Sequence, residues 1–265
     1  MPNKELITEL KTKKLFIFDL DGVIWRGNAP IEGAADVITF LQEQNYLVIF
    51  MTNNSTKSRV NFREKLVQMG INVPLSTVVN SASATASYIR SKTNYQNIFV
   101  IGETGLKEEL TSKGLTVVTG EDPSEVDCVV VGMDRHLNYD KLTKALRAIF
   151  TGADFIASNP DSTFPTEDGD ICPGAGCMIG AVRGATGKDP SLIIGKPNTI
   201  MVDQVLNELS LSPSNVVMVG DRLTTDILCG TRSGLYTVLV KTGISEEDET
   251  IVPDLVLESV RDFIQ

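Results

Sequence analysis

Apolar and polar positions alternate along this chain in blocks rather than residue by residue. Leu15-Phe16-Ile17-Phe18 is apolar throughout, which predicts a short strand buried on both faces, as in parallel sheets. A segment with Ala34, Val37, Ile38 and Leu41 at helical spacing follows, then a second apolar run over 46–51. Next comes a helical stretch over 58–69 with Gly70 placed as its C-cap. A third strand over 77–79 and a helix over 81–91 repeat the unit. From residue 97 the runs come faster: 98–101, 115–118, 126–131 and 155–157 read as strands, 105–113 and 139–151 as helices. After Gly187-Lys188-Asp189-Pro190 the first rhythm returns, with strands over 192–194, 216–219 and 236–240 and helices over 199–209 and 225–233.

Strands and helices that alternate through short connections imply parallel strands joined by right-handed crossovers, hence an α/β fold with a doubly wound sheet. The first block supplies too few strands for a full sheet, and the last block supplies the remainder. The simplest arrangement is one Rossmann-like core over 1–91 and 191–265, with residues 92–190 inserted as a second α/β domain. An insertion that leaves and returns at the mouth of a sheet would cap it.

Composition narrows the function classes. The chain has 265 residues, 42% hydrophobic and 22% charged, which suits globular domains and argues against disorder. Its longest apolar run is about six residues, against the roughly twenty that span a bilayer, and its first turns mix acidic residues into what a secretory signal would keep apolar. The reading is a cytoplasmic protein with no membrane partner. A net charge of −10 argues against a nucleic-acid partner, which needs clustered Lys and Arg. Four dispersed cysteines and a single histidine, His136, argue against zinc.

In parallel sheets, ligands bind beyond the carboxyl ends of the strands. Polar side chains follow four of the expected strands: Asp19 and Asp21, Thr52 and Asn53, Lys196, and Asp221. Singly each has an ordinary explanation as a turn residue, a helix cap or a solvated lysine. Together they bring three carboxylates, a lysine and a hydroxyl to one end of one sheet, where like charges need a cation between them. Mg²⁺ suits such a place, because it takes one or two carboxylates and leaves room for a phosphate oxygen. Asp19 and Asp221 are the expected side-chain ligands. Asp19 is then placed to attack phosphorus and form an aspartyl-phosphate. Lys196, Thr52 and groups near Asn53 are placed to hold the phosphoryl oxygens, and Asp21 to move protons. Asp226 supports the metal's waters or orients Lys196.

Asp19-x-Asp21-Gly22, Thr52-Asn53, Lys196-Pro197 and Gly220-Asp221-Arg222-x-x-x-Asp226 resemble, in order and spacing, the four motifs of the haloacid dehalogenase (HAD) superfamily. More narrowly the chain resembles its NagD-like or p-nitrophenylphosphatase branch, through Asp-Leu-Asp-Gly-Val running on to Trp25 and through Thr-Asn-Asn-Ser. The likeness continues through Val131-Gly132-x-Asp134, Ser158-Asn159-Pro160-Asp161, Pro173-Gly174-x-Gly176 and Thr237-x-Leu239-Val240-x-Thr242-Gly243. It implies a Rossmann-like core with an α/β cap and Mg²⁺-dependent hydrolysis of small phosphorylated metabolites. Asp19 matches the nucleophile and Asp21 the acid/base. Asp19, Asp221 and the backbone carbonyl of Asp21 match the metal ligands, and Thr52, Asn53 and Lys196 the phosphate binders. It also implies a homodimer contact through the cap. Cys177 departs from the Ser or Ala common in relatives. Asn159, Asp161 and the loop at 173–176 are candidates for the pocket, and Trp25 and Arg26 for its floor; turning the chain is the alternative for each. Two other functions share the aspartate: a phosphoryl-accepting signalling module, against which the chain's length and Asp21 argue, and a phosphotransferase or mutase.

Overall fold

A computed structural model describes residues 5–165, 170–244 and 248–264. In chain order the first elements are β1 (Leu15–Phe18), a hairpin of β2 (Trp25–Arg26) and β3 (Ala29–Pro30), α1 (Ala34–Glu43), β4 (Leu47–Thr52), α2 (Arg59–Gln68), β5 (Val78–Asn80) and α3 (Ser81–Lys92). Then come β6 (Asn97–Ile101), α4 (Thr104–Ser112), β7 (Thr116–Val118), β8 (Cys128–Val131), α5 (Tyr139–Thr151) and β9 (Asp154–Ala157). A second hairpin, β10 (Thr163–Pro165) with β11 (Ile171–Pro173), leads into α6 (Ala175–Thr186) and β12 (Leu192–Ile193). The chain ends with α7 (Ile200–Leu209), β13 (Val216–Gly220), α8 (Leu228–Arg232), β14 (Tyr236–Val240) and β15 (Leu255–Leu257).

The chain divides into two compact units. One comprises Met1–Thr52, Arg63–Val79 and Lys196–Gln265, the other Asn53–Phe62 and Asn80–Gly195. The first holds a sheet in the order β15-β14-β13-β1-β4-β5. Its β1 runs parallel to both β13 and β4, with Phe18 opposite Val219 on one side and Phe50 on the other. This register brings the carboxyl ends of three strands level, so Asp19, Asp221 and Thr52 leave the sheet along one edge. β1 and β13 are buried at every position, which is why their sequences are apolar runs without alternation. Phe16, Phe18 and Phe263 pack ring against ring, with centroids 5.8–6.3 Å apart.

The second unit is built on a parallel sheet in the order β12-β9-β8-β6-β7. Ile101, Val129, Val131, Phe155, Ile149 and Val182 form its core between the sheet and helices α5 and α6. The expected boundaries at 91/92 and 190/191 fall inside this unit. It also takes in α3, which packs on α4, and the stretch 53–62. There Thr56 O accepts from Gly105 N at 3.1 Å, and Arg59 Nε meets the buried Glu109 Oε2 at 3.0 Å.

Helix α6 was not legible as a helix, because Gly176, Gly180 and Gly184 lower its propensity. Ala175, Ile179 and Val182 nevertheless form a buried stripe, and burial outweighs propensity. The loop expected over 173–176 is therefore the junction of β11 and α6, with Gly176 in the helix. The helix expected over 225–233 begins instead with a wide turn, Leu223–Ile227, in which Ile227 N bonds to Arg222 O at 3.2 Å. Such widened turns are characteristic of functional positions. Among the described residues no helix is long and apolar enough to cross a membrane.

Candidate active site

The level strand ends of the first unit assemble the site. Asp19 follows β1 directly, its amide bonded to Val219 O at 2.8 Å, and is nearly buried at 7% exposure. Lys196, the first residue after the chain returns to this unit, is 2% exposed. Its ammonium lies 2.6 Å from Asp19 Oδ1 and 2.6 Å from Asp226 Oδ1, and donates to Met51 O at the end of β4 at 3.1 Å. The wide turn after β13 carries Asp226 inward, where its Oδ2 accepts from Arg222 N at 3.2 Å. One carboxylate oxygen from each of Asp19, Asp221 and Asp226 lies within 4.8 Å of the others.

A loop after β14 holds this cluster from the far side. Ile244 N donates to Asp221 Oδ2 at 2.9 Å, and Thr242 Oγ1 donates to Gly22 O at 2.6 Å. Gly22 takes φ +86°, which lets the backbone turn sharply after Asp21. A Cβ on Gly22 or Gly243 would fall on the Asp221 carboxylate. Asp21 is exposed, and its Oδ1 accepts the indole N–H of Trp25 at 2.8 Å.

Burial dominates the electrostatics. It pushes the Asp19 carboxyl well above the usual carboxylate range, and Asp226 and Asp221 push it further, against the pull of Lys196. Asp221 is pushed up to about 7 by burial and by Asp226, with the Ile244 amide opposing. Burial would lower Lys196, but Asp19 and Asp226 outweigh it and hold the ammonium firmly charged. Three crowded carboxylates thus share too little positive charge, and every donor among them is a hard oxygen. That set fits a small divalent cation such as Mg²⁺. It does not fit a soft or nitrogen-seeking metal.

Comparison with known proteins gives the family. Residues 16–116 match the family model described as haloacid dehalogenase-like hydrolase, and 193–263 match one described as HAD-hydrolase-like. An acid sugar phosphatase of Staphylococcus epidermidis is 40% identical over 240 residues, 91% of each chain. The solved p-nitrophenyl phosphatase of Archaeoglobus fulgidus superposes with a TM-score of 0.87 at 38% identity, covering 94% of this chain and 97% of that one. NagD of Escherichia coli K-12 superposes at 0.85 with 30% identity, covering 95% and 98%. The chain belongs to the haloacid dehalogenase-like hydrolases, among the NagD-like phosphatases.

In this HAD-like phosphatase the structure draws Asp19, Lys196, Asp221 and Asp226 into one buried cluster, with Thr52 buried at the end of the neighbouring strand. Asn53 begins the second unit. Its Nδ2 donates to Asp161 Oδ1 at 3.0 Å, and its carbonyl accepts from Ser81 Oγ at 2.6 Å and Asn159 Nδ2 at 2.9 Å. Asn159 and Asp161 thereby serve as partners of Asn53. Cys177 is exposed and reaches Ser162 O at 3.5 Å. Arg26 donates to Thr242 O, and Trp25 is fully buried beside Asp21. Sequence reasoning missed what Trp25 and the 242–244 loop do. The signal available was a lone tryptophan four residues after Asp21 and a Thr-Gly pair after the last long strand, neither of which carries chemistry by type.

Proposed function

We propose that this protein is a Mg²⁺-dependent phosphatase of small phosphomonoesters, sugar phosphates among them, that works through an aspartyl-phosphate on Asp19. The observation that carries the proposal is the buried Asp19 with the Lys196 ammonium at 2.6 Å and the Asp221 and Asp226 carboxylates grouped beside it. The side chains of Asp19 and Asp221 and the main-chain carbonyl of Asp21 would hold Mg²⁺. When bound, the ion supplies charge neutralisation for a phosphoryl oxygen and for the carboxylates.

In the first half-reaction an oxygen of Asp19 attacks phosphorus in line with the ester oxygen. The new Asp19–phosphorus bond forms as the ester P–O bond breaks, and Asp21 gives its proton to the departing alkoxide. Lys196 and the Thr52 hydroxyl hold the non-bridging oxygens. In the second, water attacks phosphorus, Asp21 takes its proton back, and the Asp19–phosphorus bond breaks to leave the carboxylate and inorganic phosphate. Asp226 keeps Lys196 in place. The second unit is assigned as the cap that selects the ester, because in sequence it begins immediately after Thr52 and ends immediately before Lys196.

The test is phosphate release over a panel of sugar phosphates, nucleoside monophosphates and p-nitrophenyl phosphate, with Mg²⁺ and with chelator. Release that needs Mg²⁺ is the expected result; release that persists under chelator contradicts it. Two further outcomes follow. Gly243→Ala pushes a methyl onto the Asp221 carboxylate and weakens Mg²⁺ binding by roughly 10–100-fold, measured by calorimetric titration. The second concerns pH. Asp221 has an ordinary value of 3.8 and is raised to about 7 when folded, so the metal-free fold loses stability from this group as pH rises through that window. Protons compete with Mg²⁺ over the same range. The rise in melting temperature that Mg²⁺ gives should therefore be small at pH 5 and grow up to pH 8; a rise independent of pH would contradict the assignment of Asp221 as ligand.

A further inference from the structure

We propose that Trp25 is a positioning residue for Asp21: its indole N–H holds the carboxylate in the orientation from which it protonates the leaving oxygen. The inference rests on the phosphatase reading above and gives Trp25 a part in it beyond the pocket floor expected from sequence.

A general acid contributes only when its proton points at the atom that needs it. Asp21 is exposed, and the terminal torsion of an exposed carboxylate is broad. Trp25 is its opposite, a large side chain with no exposed surface. Its Nε1 reaches Asp21 Oδ1 at 2.8 Å, so a buried donor fixes one oxygen of the exposed carboxylate. An indole N–H can only donate. The oxygen it binds is kept as acceptor.

The donor itself is fixed from three sides. Trp25 N bonds to Leu20 O at 3.2 Å and Trp25 O accepts from Gly22 N at 2.7 Å, so the residue closes the Asp21 turn with its main chain as well as its side chain. It pairs with Pro30 across the β2–β3 hairpin. Over its ring face sits the Lys65 ammonium from α2, 4.2 Å from the centroid. The same ammonium donates to Gly27 O in the hairpin turn at 2.6 Å. Cation–π contact and hydrogen bond together hold ring and hairpin to α2.

The experiment compares two esters in the presence of Mg²⁺. Nitrophenolate leaves with little need of a proton, whereas an alkoxide needs one. If Trp25 acts through Asp21, Trp25→Phe lowers kcat on a simple alkyl phosphate by at least about tenfold more than on p-nitrophenyl phosphate. A purely structural role would lower both alike, and equal losses, or none, overturn the inference. A wild-type chain that hydrolyses neither ester overturns the phosphatase reading as well, so the two failures are distinguishable. A second readout does not depend on turnover or on how Trp25→Phe folds. Trp25 is the only tryptophan, so the ¹⁵N-labelled chain gives one indole N–H resonance, and Asp21→Ala should move it upfield. A resonance that stays in place overturns the inference.

Discussion

Asp19→Asn abolishes turnover of every phosphomonoester, a loss on the order of 10⁴–10⁶-fold with Mg²⁺ saturating. The carboxamide keeps the shape of the carboxylate, and its oxygen can still accept from Lys196 at the 2.6 Å position. What it lacks is an electron pair nucleophilic enough to attack phosphorus. The fold should not suffer. Burial already pushes Asp19 well above the usual carboxylate range, so a neutral amide is easier to keep there than the charge it replaces. An unchanged or raised melting temperature beside lost phosphate release separates chemistry from folding; a lowered one with residual turnover would contradict this account.

Lys196→Met has the second-largest effect, and it acts on both stability and rate. The ammonium is 2% exposed and faces Asp19 and Asp226 at 2.6 Å each. Removing it leaves two buried carboxylates without their cation, a change that costs about 3–5 kcal/mol. The loss of a fixed charge on the phosphoryl oxygens lowers kcat by roughly 10²–10³-fold. The double variant Lys196→Met with Asp226→Asn removes one of the stranded charges, so it should regain part of the stability in a denaturant titration and none of the rate. Recovery of rate together with stability would mean that Lys196 only holds the fold.

The parts of the site that were legible from sequence are those that strand ends dictate. Leu15–Phe18 and Val216–Gly220 are buried on both faces, so their polar successors Asp19 and Asp221 stood out where the apolar runs stop. Lys196 was legible by position and Asp226 by spacing, although Asp226 arrives through a wide turn and not the regular helix expected. What could not be read depends on backbone geometry or on contacts distant in sequence. The 242–244 loop holds Asp221 with a main-chain amide, which any residue type supplies. Asn53 turns its side chain to Asp161, more than a hundred positions away. Helix α6 is hidden by its glycines, and the β2–β3 hairpin is two residues per strand, too short to show a period.

The central claim is that phosphoryl transfer passes through Asp19, and trapping tests it most directly. Asp21→Asn, given p-nitrophenyl phosphate and Mg²⁺, should still release nitrophenolate once but hydrolyse the acyl phosphate slowly, because the base for the second half-reaction is gone. Borohydride reduces an acyl phosphate to an alcohol, so quenching the mixture with it and reading the peptides by mass spectrometry should find homoserine at position 19. Reduction at another aspartate, or none while phosphate is still released, would contradict the account.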